Sequence, residues 1–396
     1  MRCCRPAPSC ALRSTKRKQG DDCAFLRAAA PARGPWALLR AAVTSSLPVA
    51  MPRPRSRTPT RLRELGQEAV ERVANASRAA CKTGRAYYNK LRNANRPTIE
   101  CTERGRDGRE EKRTFTVHKQ IGEGSYSNVY KVCEWQPDGK AHVFAMKRIL
   151  AGDEEARRRA QGEVALMKRL PPHPNILNLI AHHEQAEGAI AGGPQSPGQA
   201  RGGLTIYLLL EMCNHGSIAH HMISLEGRPM HMNQVYRLFL DMCHALGHLH
   251  AQSPPIAHRD FKLENMLLAS DGFAKLCDFG SATCRARSYH HTRREADFAE
   301  DEFHRMSTAG YRAPEMFDVH RGHRVDEKVD VWALGIALFK MVANKDAFLQ
   351  GEEKLGSLNG AWRIRLPEER DRITGERVDP TSVRLLDMLL QQDPAK

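Results

Sequence analysis

The chain has 396 residues, enough for one large core or two lobes, and a net charge of +15 with a pI near 9.5. Residues 1–60 carry twelve Lys and Arg against Asp21 and Asp22, so +10 of the excess sits in the tail and the body is only mildly basic, which disfavours a nucleic-acid-binding body. Eleven scattered cysteines with no C-x-x-C pair argue against a zinc site and fit a reducing compartment, and the early apolar run from Trp36 to Ala50 is broken by Arg40 and too short to span a bilayer.

Residues 1–60 are rich in Arg, Pro, Ala and Ser and show no steady period, which predicts a disordered tail. An organelle transit peptide and a true start at Met51 are the alternatives. Neither Met1 nor Met51 is followed by glycine, so a myristoylation signal is absent. Within 61–113, Leu62, Leu65, Ala69, Val73, Ala76 and Ala80 recur at helical spacing opposite Arg61, Arg63, Glu64, Glu68 and Arg72. That pattern predicts an amphipathic helix followed by a linker; the helix packs on the body or meets a membrane surface or partner.

From Thr114 the chain reads as strands: Phe115–Val117, then the glycine-containing turn Ile121-Gly122-Glu123-Gly124-Ser125, then Val129–Val132 and Val143–Leu150. Residues 153–170 predict a helix with Asp153, Glu154 and Glu155 at its positive end. Its Gly162 either softens the helix or marks close packing. Residues 186–203 read as a loose loop, Tyr207–Leu210 as a buried strand, Glu211-Met212-Cys213 as a hinge, and 232–251, 328–343 and 381–391 as helices.

The most informative stretch is His258-Arg259-Asp260-Phe261-Lys262-Leu263-Glu264-Asn265, followed by Asp278-Phe279-Gly280. Two aspartates, a lysine and an asparagine at this spacing suit phosphoryl transfer, which asks a protein for positioning and charge neutralisation. Either motif alone is weak; the ordered pair is specific. Residues from about 115 onward resemble a eukaryotic protein kinase domain of the Ser/Thr type. The landmarks are the glycine turn, Phe144-Ala145-Met146-Lys147, Glu163, Ala313-Pro314-Glu315 and Asp330–Gly335. Cys277–Thr283, Tyr311–Met316 and Ser127 in the third glycine position look most similar to the Numb-associated kinase family.

The resemblance implies an α+β bilobal fold, a small antiparallel β lobe with one main helix over a larger helical lobe. The small lobe would span 114–210, the hinge 211–213 and the large lobe 214–396. It implies ATP as phosphoryl donor, lined by Ile121, Gly122, Glu123, Gly124, Ser125, Val129, Ala145 and Lys147 above and by Glu211 and Cys213 at the hinge. Asn265 and Asp278 would complete the site and hold Mg²⁺ through hard oxygen donors. Asp260 would receive the substrate proton, Lys262 would neutralise the transferring group, Glu163 would pair with Lys147, and Thr308 marks a Ser/Thr enzyme. His258 is expected to pack under Phe279, Asp330 to anchor the catalytic-loop backbone, and Arg259 to be able to receive a phosphate on 281–308. Cys277 reads as an inert core thiol or an electrophile target.

The family also places an arginine after this point that pairs with Glu315. With the sequence ending at Lys396, the expectation is a fragment or a frayed large lobe. Protein substrates are expected, with clathrin-adaptor or other vesicle-traffic proteins implied by the family. A cytoplasmic monomer is expected, with weak anionic-membrane contact through residues 1–60. Only Phe25 and Trp36 interrupt the basic tail as aromatics, so nucleic-acid readout is disfavoured. The competing reading is a catalytically weak pseudokinase scaffold attached to membranes by that tail.

Overall fold

The computed structural model describes residues 96–104, 110–124, 127–136, 139–186, 203–286, 292–365 and 379–395. The basic tail, the helix expected over 62–80, most of the loop expected over 186–203, and Ser125 lie outside the described residues. Among the described residues no helix is long and apolar enough to cross a membrane.

Six strands make one antiparallel sheet in the order β1-β2-β3-β4-β6-β5. They are β1 (Thr98–Arg104), β2 (Glu110–Gly124), β3 (Ser127–Trp135), β4 (Ala141–Ala151), β5 (Leu179–Ala186) and β6 (Leu204–Glu211). The two-residue period of β4 sorts its side chains between two cores. Ala145 and Ile149 join the large core beneath the sheet, while Met146 joins Phe115, Val132, Tyr207 and Leu209 on the other face. Lys147 shares the face of Ala145 and so points at the cleft.

Strand β1 lies where the sequence suggested only linker. It pairs with β2 from Thr98↔Thr116 to Arg104↔Glu110, and Ile99 and Cys101 pack against the smaller core. The sheet therefore begins before Thr114. The alternation of Ile99 and Cys101 with polar residues was the available signal, and it was too short to stand out beside a charged stretch.

Helix α1 (Glu154–Arg169) lies against the sheet. Asp153 caps it by accepting from Ala156 N at 2.7 Å, acids fill its first turn and Lys168 and Arg169 its last, which suits the helix dipole at both ends. Ala156, Ala160, Glu163, Val164 and Met167 form its buried stripe. The larger lobe contains α2 (Ile218–Ser224), α3 (Met232–His250), α4 (Arg293–Met306), α5 (Pro314–Phe317), α6 (Lys328–Ala343), α7 (Glu353–Asn359), α8 (Trp362–Arg365) and α9 (Pro380–Leu389). A small hairpin, β7 (Met266–Leu268) with β8 (Ala274–Leu276), sits just under the sheet. Helix α6 is buried on nearly every side, as expected for a helix that is apolar all round. Leu385, Leu386 and Leu389 of α9 are buried with it, so the described end of the large lobe is packed, not frayed. The α+β bilobal expectation is met.

Candidate active site

The cleft between sheet and helical lobe receives side chains from five elements. Lys147 on β4 donates from Nζ to Glu163 Oε1 on α1 at 2.7 Å and to Asp278 Oδ1 at 2.8 Å. Its side chain and that of Glu163 are nearly buried, whereas Asp278 is half exposed to the cleft. Burial opposes the charge on Lys147, but the two carboxylates outweigh it and hold the ammonium protonated. The Lys147 charge beside Asp278 pulls that carboxyl down to about 2, against the cost of burial. Burial pushes the Glu163 carboxyl up while Lys147 pulls it down, and burial prevails.

Below the cleft, Asp260 sits in the loop between α3 and β7. Its Oδ1 accepts from Thr308 N at 3.0 Å and from Thr308 Oγ1 at 2.7 Å, and its Oδ2 faces Lys262 Nζ at 2.9 Å. Lys262 Nζ also donates to Thr308 Oγ1 at 2.8 Å. Asp260, Lys262 and Thr308 thus form one closed cluster although Thr308 lies 48 residues beyond Asp260. Asn265 is buried and donates from Nδ2 to the Asp260 carbonyl at 2.9 Å.

The loop carrying these groups hangs from Asp330 on α6, which is fully buried. One oxygen accepts from His258 N at 2.7 Å and the other from Arg259 N at 2.8 Å, and His250 Nε2 lies 3.0 Å from the first. His258 is buried, its ring meets Phe279 edge-on at 5.4 Å, and its Nε2 lies 3.1 Å from the Cys277 carbonyl. Both residues have the structural roles expected of them. Arg259 and Asp278 adopt left-handed backbone at φ 65° and 62°, a conformation costly for side-chain-bearing residues and concentrated at functional sites.

Above the cleft, Ile121, Gly122, Glu123 and Gly124 end β2 and pair with β3 through Gly122↔Val129, Glu123↔Asn128 and Gly124↔Ser127. A Cβ on Gly122 would come no closer than 3.4 Å to Val129, so the protein's own packing does not demand glycine there. A bare backbone facing the cleft is what a phosphate ligand requires. Ala145 is buried in the sheet face above the cleft. At the hinge, Glu211 is tied down: it accepts from Asn178 N at 2.8 Å and meets Lys275 Nζ at 3.2 Å. Burial pushes the Cys213 thiol up to about 12, and burial with the Asp278 charge pushes Cys277 up as well. Both thiols stay protonated at neutral pH, which supports the inert reading of Cys277.

The residues fit a magnesium nucleotide. The side-chain oxygen of Asn265 and Oδ2 of Asp278 have no hydrogen-bond donor among the described residues, and both are hard oxygen ligands. Two protein oxygens plus phosphates and water satisfy Mg²⁺, which rarely takes an all-protein cage.

Several functional residues escaped sequence reading. Glu302 on α4 accepts from Arg259 Nη1 at 3.0 Å, and Arg259 Nε donates to the Ser281 carbonyl at 2.7 Å. Ser281 Oγ donates to the Met306 carbonyl at 2.7 Å, and Arg159 on α1 reaches Met306 Sδ at 3.4 Å. The arginine expected to be able to receive a phosphate is therefore held by a carboxylate. Helix α4 itself was missed within a segment read only as charged. Its signal was present: Thr292 caps Glu295 N, a capping-box spacing, and Ala296, Ala299 and Phe303 form its buried face. At Gly162 a Cβ would meet nothing within 4 Å, which removes close packing as its explanation.

A sequence model described as "Protein kinase domain" matches residues 115–396. A probable serine/threonine-protein kinase of Dictyostelium discoideum is 33% identical over 249 residues, 62% of this chain and 20% of that protein. A serine/threonine-protein kinase of Schizosaccharomyces pombe is 32% identical over 228 residues, 57% of this chain and 22% of its own length. Actin-regulating kinase 1 of Saccharomyces cerevisiae is 28% identical over 281 residues, 70% of this chain and 41% of that protein. The chain thus spans less than half of each of these relatives. The matched range holds Lys147, Glu163, Asp260, Asn265 and Asp278, and the chain belongs to the eukaryotic protein kinase domain family, with relatives of the serine/threonine type.

Proposed function

We propose that this protein transfers the γ-phosphoryl group of ATP to serine and threonine hydroxyls of protein substrates. The observation that supports this most is the simultaneous engagement of Lys147 by Glu163 and Asp278 in one cleft. An inert scaffold has no use for three coupled charges there. Lys147 would balance the charge of the α- and β-phosphates while Glu163 fixes its direction. Asp260, oriented by Thr308 N–H, would align the attacking hydroxyl and accept its proton. Lys262, already between Asp260 and Thr308, would neutralise charge spreading over the transferred group. Asn265 and Asp278 would hold magnesium, which supplies charge neutralisation at the phosphates when bound.

Purified protein with Mg-ATP should label a generic Ser/Thr substrate. Asp260→Asn should lower the rate by about 10²–10⁴-fold with ATP affinity kept, the range expected for loss of a general base. Equal labelling by both proteins would overturn the assignment.

Three finer readings belong to the same proposal. The branch is the Numb-associated kinase family, supported by Cys277–Thr283, Tyr311–Met316 and Ser127, and substrates are vesicle-traffic proteins by that kinship. The protein acts as a cytoplasmic monomer, and its basic residues 1–60 attach weakly to anionic membranes. A peptide array read beside Asp260→Asn would define the substrate, and liposome pelleting that fails to weaken with salt would remove the membrane contact. Removing residues 1–95, a cut placed before β1, should leave catalysis nearly intact.

A further inference from the structure

Lys275 is a buried charge for which the phosphoryl-transfer reading has no use. It lies on β8 between Ala274 and Leu276, both fully buried, and only 4% of it is exposed. Its Nζ stands 3.2 Å from Glu211 Oε2 and 3.4 Å from Asp271 Oδ2. Glu211 is the last residue of β6 in the upper sheet, and its other oxygen, Oε1, accepts from Asn178 N at 2.8 Å. Glu211 N in turn donates to the Asn178 carbonyl at 3.3 Å. Asp271 belongs to the turn between β7 and β8, so its contact with Lys275 stays within one hairpin. The contact with Glu211 joins the two lobes.

Both ends of that contact are anchored. In the helical lobe, Ala274 N donates to Asp241 Oδ2 of α3 at 2.9 Å, and Cys277 N donates to the Asn265 carbonyl at 2.9 Å. Beyond the hinge, His215 N donates to the Leu268 carbonyl at 3.3 Å and Leu268 N to the Gly216 carbonyl at 2.8 Å, which fixes 215–216 to β7. Met212, Cys213 and Asn214 form the link between those bonds and Glu211. A short link of this kind is where two packed bodies turn against each other. The Lys275–Glu211 pair crosses it from side chain to side chain. Burying an ammonium is costly, and a well-packed apolar residue of like volume is often as stable or more so. Packing of the hairpin therefore does not account for a lysine at 275, where methionine would fill the same space. Its charge faces a carboxylate on the other side of the hinge, and fixing one arrangement of parts is a use that repays a buried charge.

We propose that Lys275 is a positioning residue of the nucleotide site: its pairing with Glu211 limits how far the cleft opens about residues 212–214, and so sets how long a bound nucleotide stays. The proposal rests on the reading of the cleft as an ATP site, which the resemblance extends to Glu211 and Cys213. Lys275 acts through Glu211 from within the lower lobe. With the pair formed, the end of β6 keeps one position relative to β8, the strand that runs on into Asp278. Without it, the sheet turns on the link 212–214 and the cleft opens more often.

The test uses the whole chain and a fluorescent ADP analogue whose release is followed by stopped flow. Lys275→Met should speed release about tenfold, the worth of one charge-assisted hydrogen bond. Glu211→Gln, which keeps an acceptor for Asn178 N, should do the same, and the double variant should release no faster than either single one. Asp271→Asn, which touches only the hairpin side of the lysine, should release at the wild-type rate. In the nucleotide-free protein, amide hydrogen exchange over 211–216 should quicken in Lys275→Met and stay unchanged in Asp271→Asn. In steady state the KM for ATP should rise in Lys275→Met with kcat undiminished, a split that a mere loss of folded protein does not give. Circular dichroism establishes that the variants are folded; should Lys275→Met fail there, Glu211→Gln, whose side chain is partly exposed, carries the test. Equal release by wild type, Lys275→Met and Glu211→Gln would overturn the proposal. So would additive effects in the double variant, or an equal effect of Asp271→Asn, which would confine the lysine to the hairpin. Release and exchange are read without phosphoryl transfer, so a wild type that binds nucleotide but labels no substrate would sink the kinase assignment and leave this proposal standing.

Discussion

Asp330 touches no reacting atom, yet its two oxygens hold the two backbone N–H groups that precede Asp260. Replacing it with alanine leaves both donors buried without partners. The expected cost is about 2–5 kcal/mol, read as a fall in denaturant midpoint, with loss of kcat exceeding any change in the KM for ATP. At this scale the residues of the candidate site were legible, because Asp260, Lys262, Asn265 and Asp278 lie within one short span of sequence. Their supports were not. Glu302 meets Arg259 across 43 residues and Ser281 meets the Met306 carbonyl across 25, and no local pattern encodes such pairs. Several hydroxyls of the 281–308 segment are held by local bonds: Thr292 caps α4, Ser307 donates to the Phe303 carbonyl, and Thr308 holds Asp260.

Among elements, α1 and α6 show glycine used for opposite reasons. Gly162 of α1 is exposed and unpacked, so Gly162→Ala should stabilise the protein by about 0.5–1 kcal/mol through helix propensity alone, measured as a rise in thermal midpoint. Gly335 of α6 is buried against α9, where a Cβ would stand 2.7 Å from Leu390 Cδ2 and 2.9 Å from Leu389 Cβ. Gly335→Ala should destabilise by about 1–3 kcal/mol by forcing α9 outward. Both glycines sit in runs that read as helix, and only the neighbours distinguish them. Helix α4 depends on its N-cap, and Thr292→Ala should cost about 1 kcal/mol and loosen the Glu302–Arg259 contact. Activity falling in parallel with helix content in that variant would tie α4 to catalysis; unchanged activity would separate them.

At the scale of the whole molecule, Glu315 is a buried carboxyl whose ionisation sets a pH dependence. It is buried in α5, and among the described residues it makes no salt bridge. Burial pushes its carboxyl up to about 7; its own backbone N–H pulls the other way, Asp326 adds to the rise and Lys328 opposes it. A carboxyl whose folded pKa lies above its ordinary 4.5 favours the folded state at low pH. That contribution is complete below about pH 4.5 and is lost as pH rises to about 7, a change of about 3 kcal/mol. Glu315→Gln should therefore flatten the pH dependence of stability over this window and be the more stable protein at pH 8. A wild-type profile that matches the variant's across the window would mean that the carboxyl is ionised at no cost.

The motif order from the glycine turn to Asp330 was written in the sequence, and so were the strand and helix periods that place Lys147, Glu163 and Asp278, because each depends on residues a few positions apart. The closing of those residues into one cleft, the carboxylate on Arg259, the added strand β1 and the lysine on Glu211 were decided only by tertiary structure. They depend on which distant surfaces meet, and burial and Coulomb attraction act on distance in space, to which separation along the chain gives no guide.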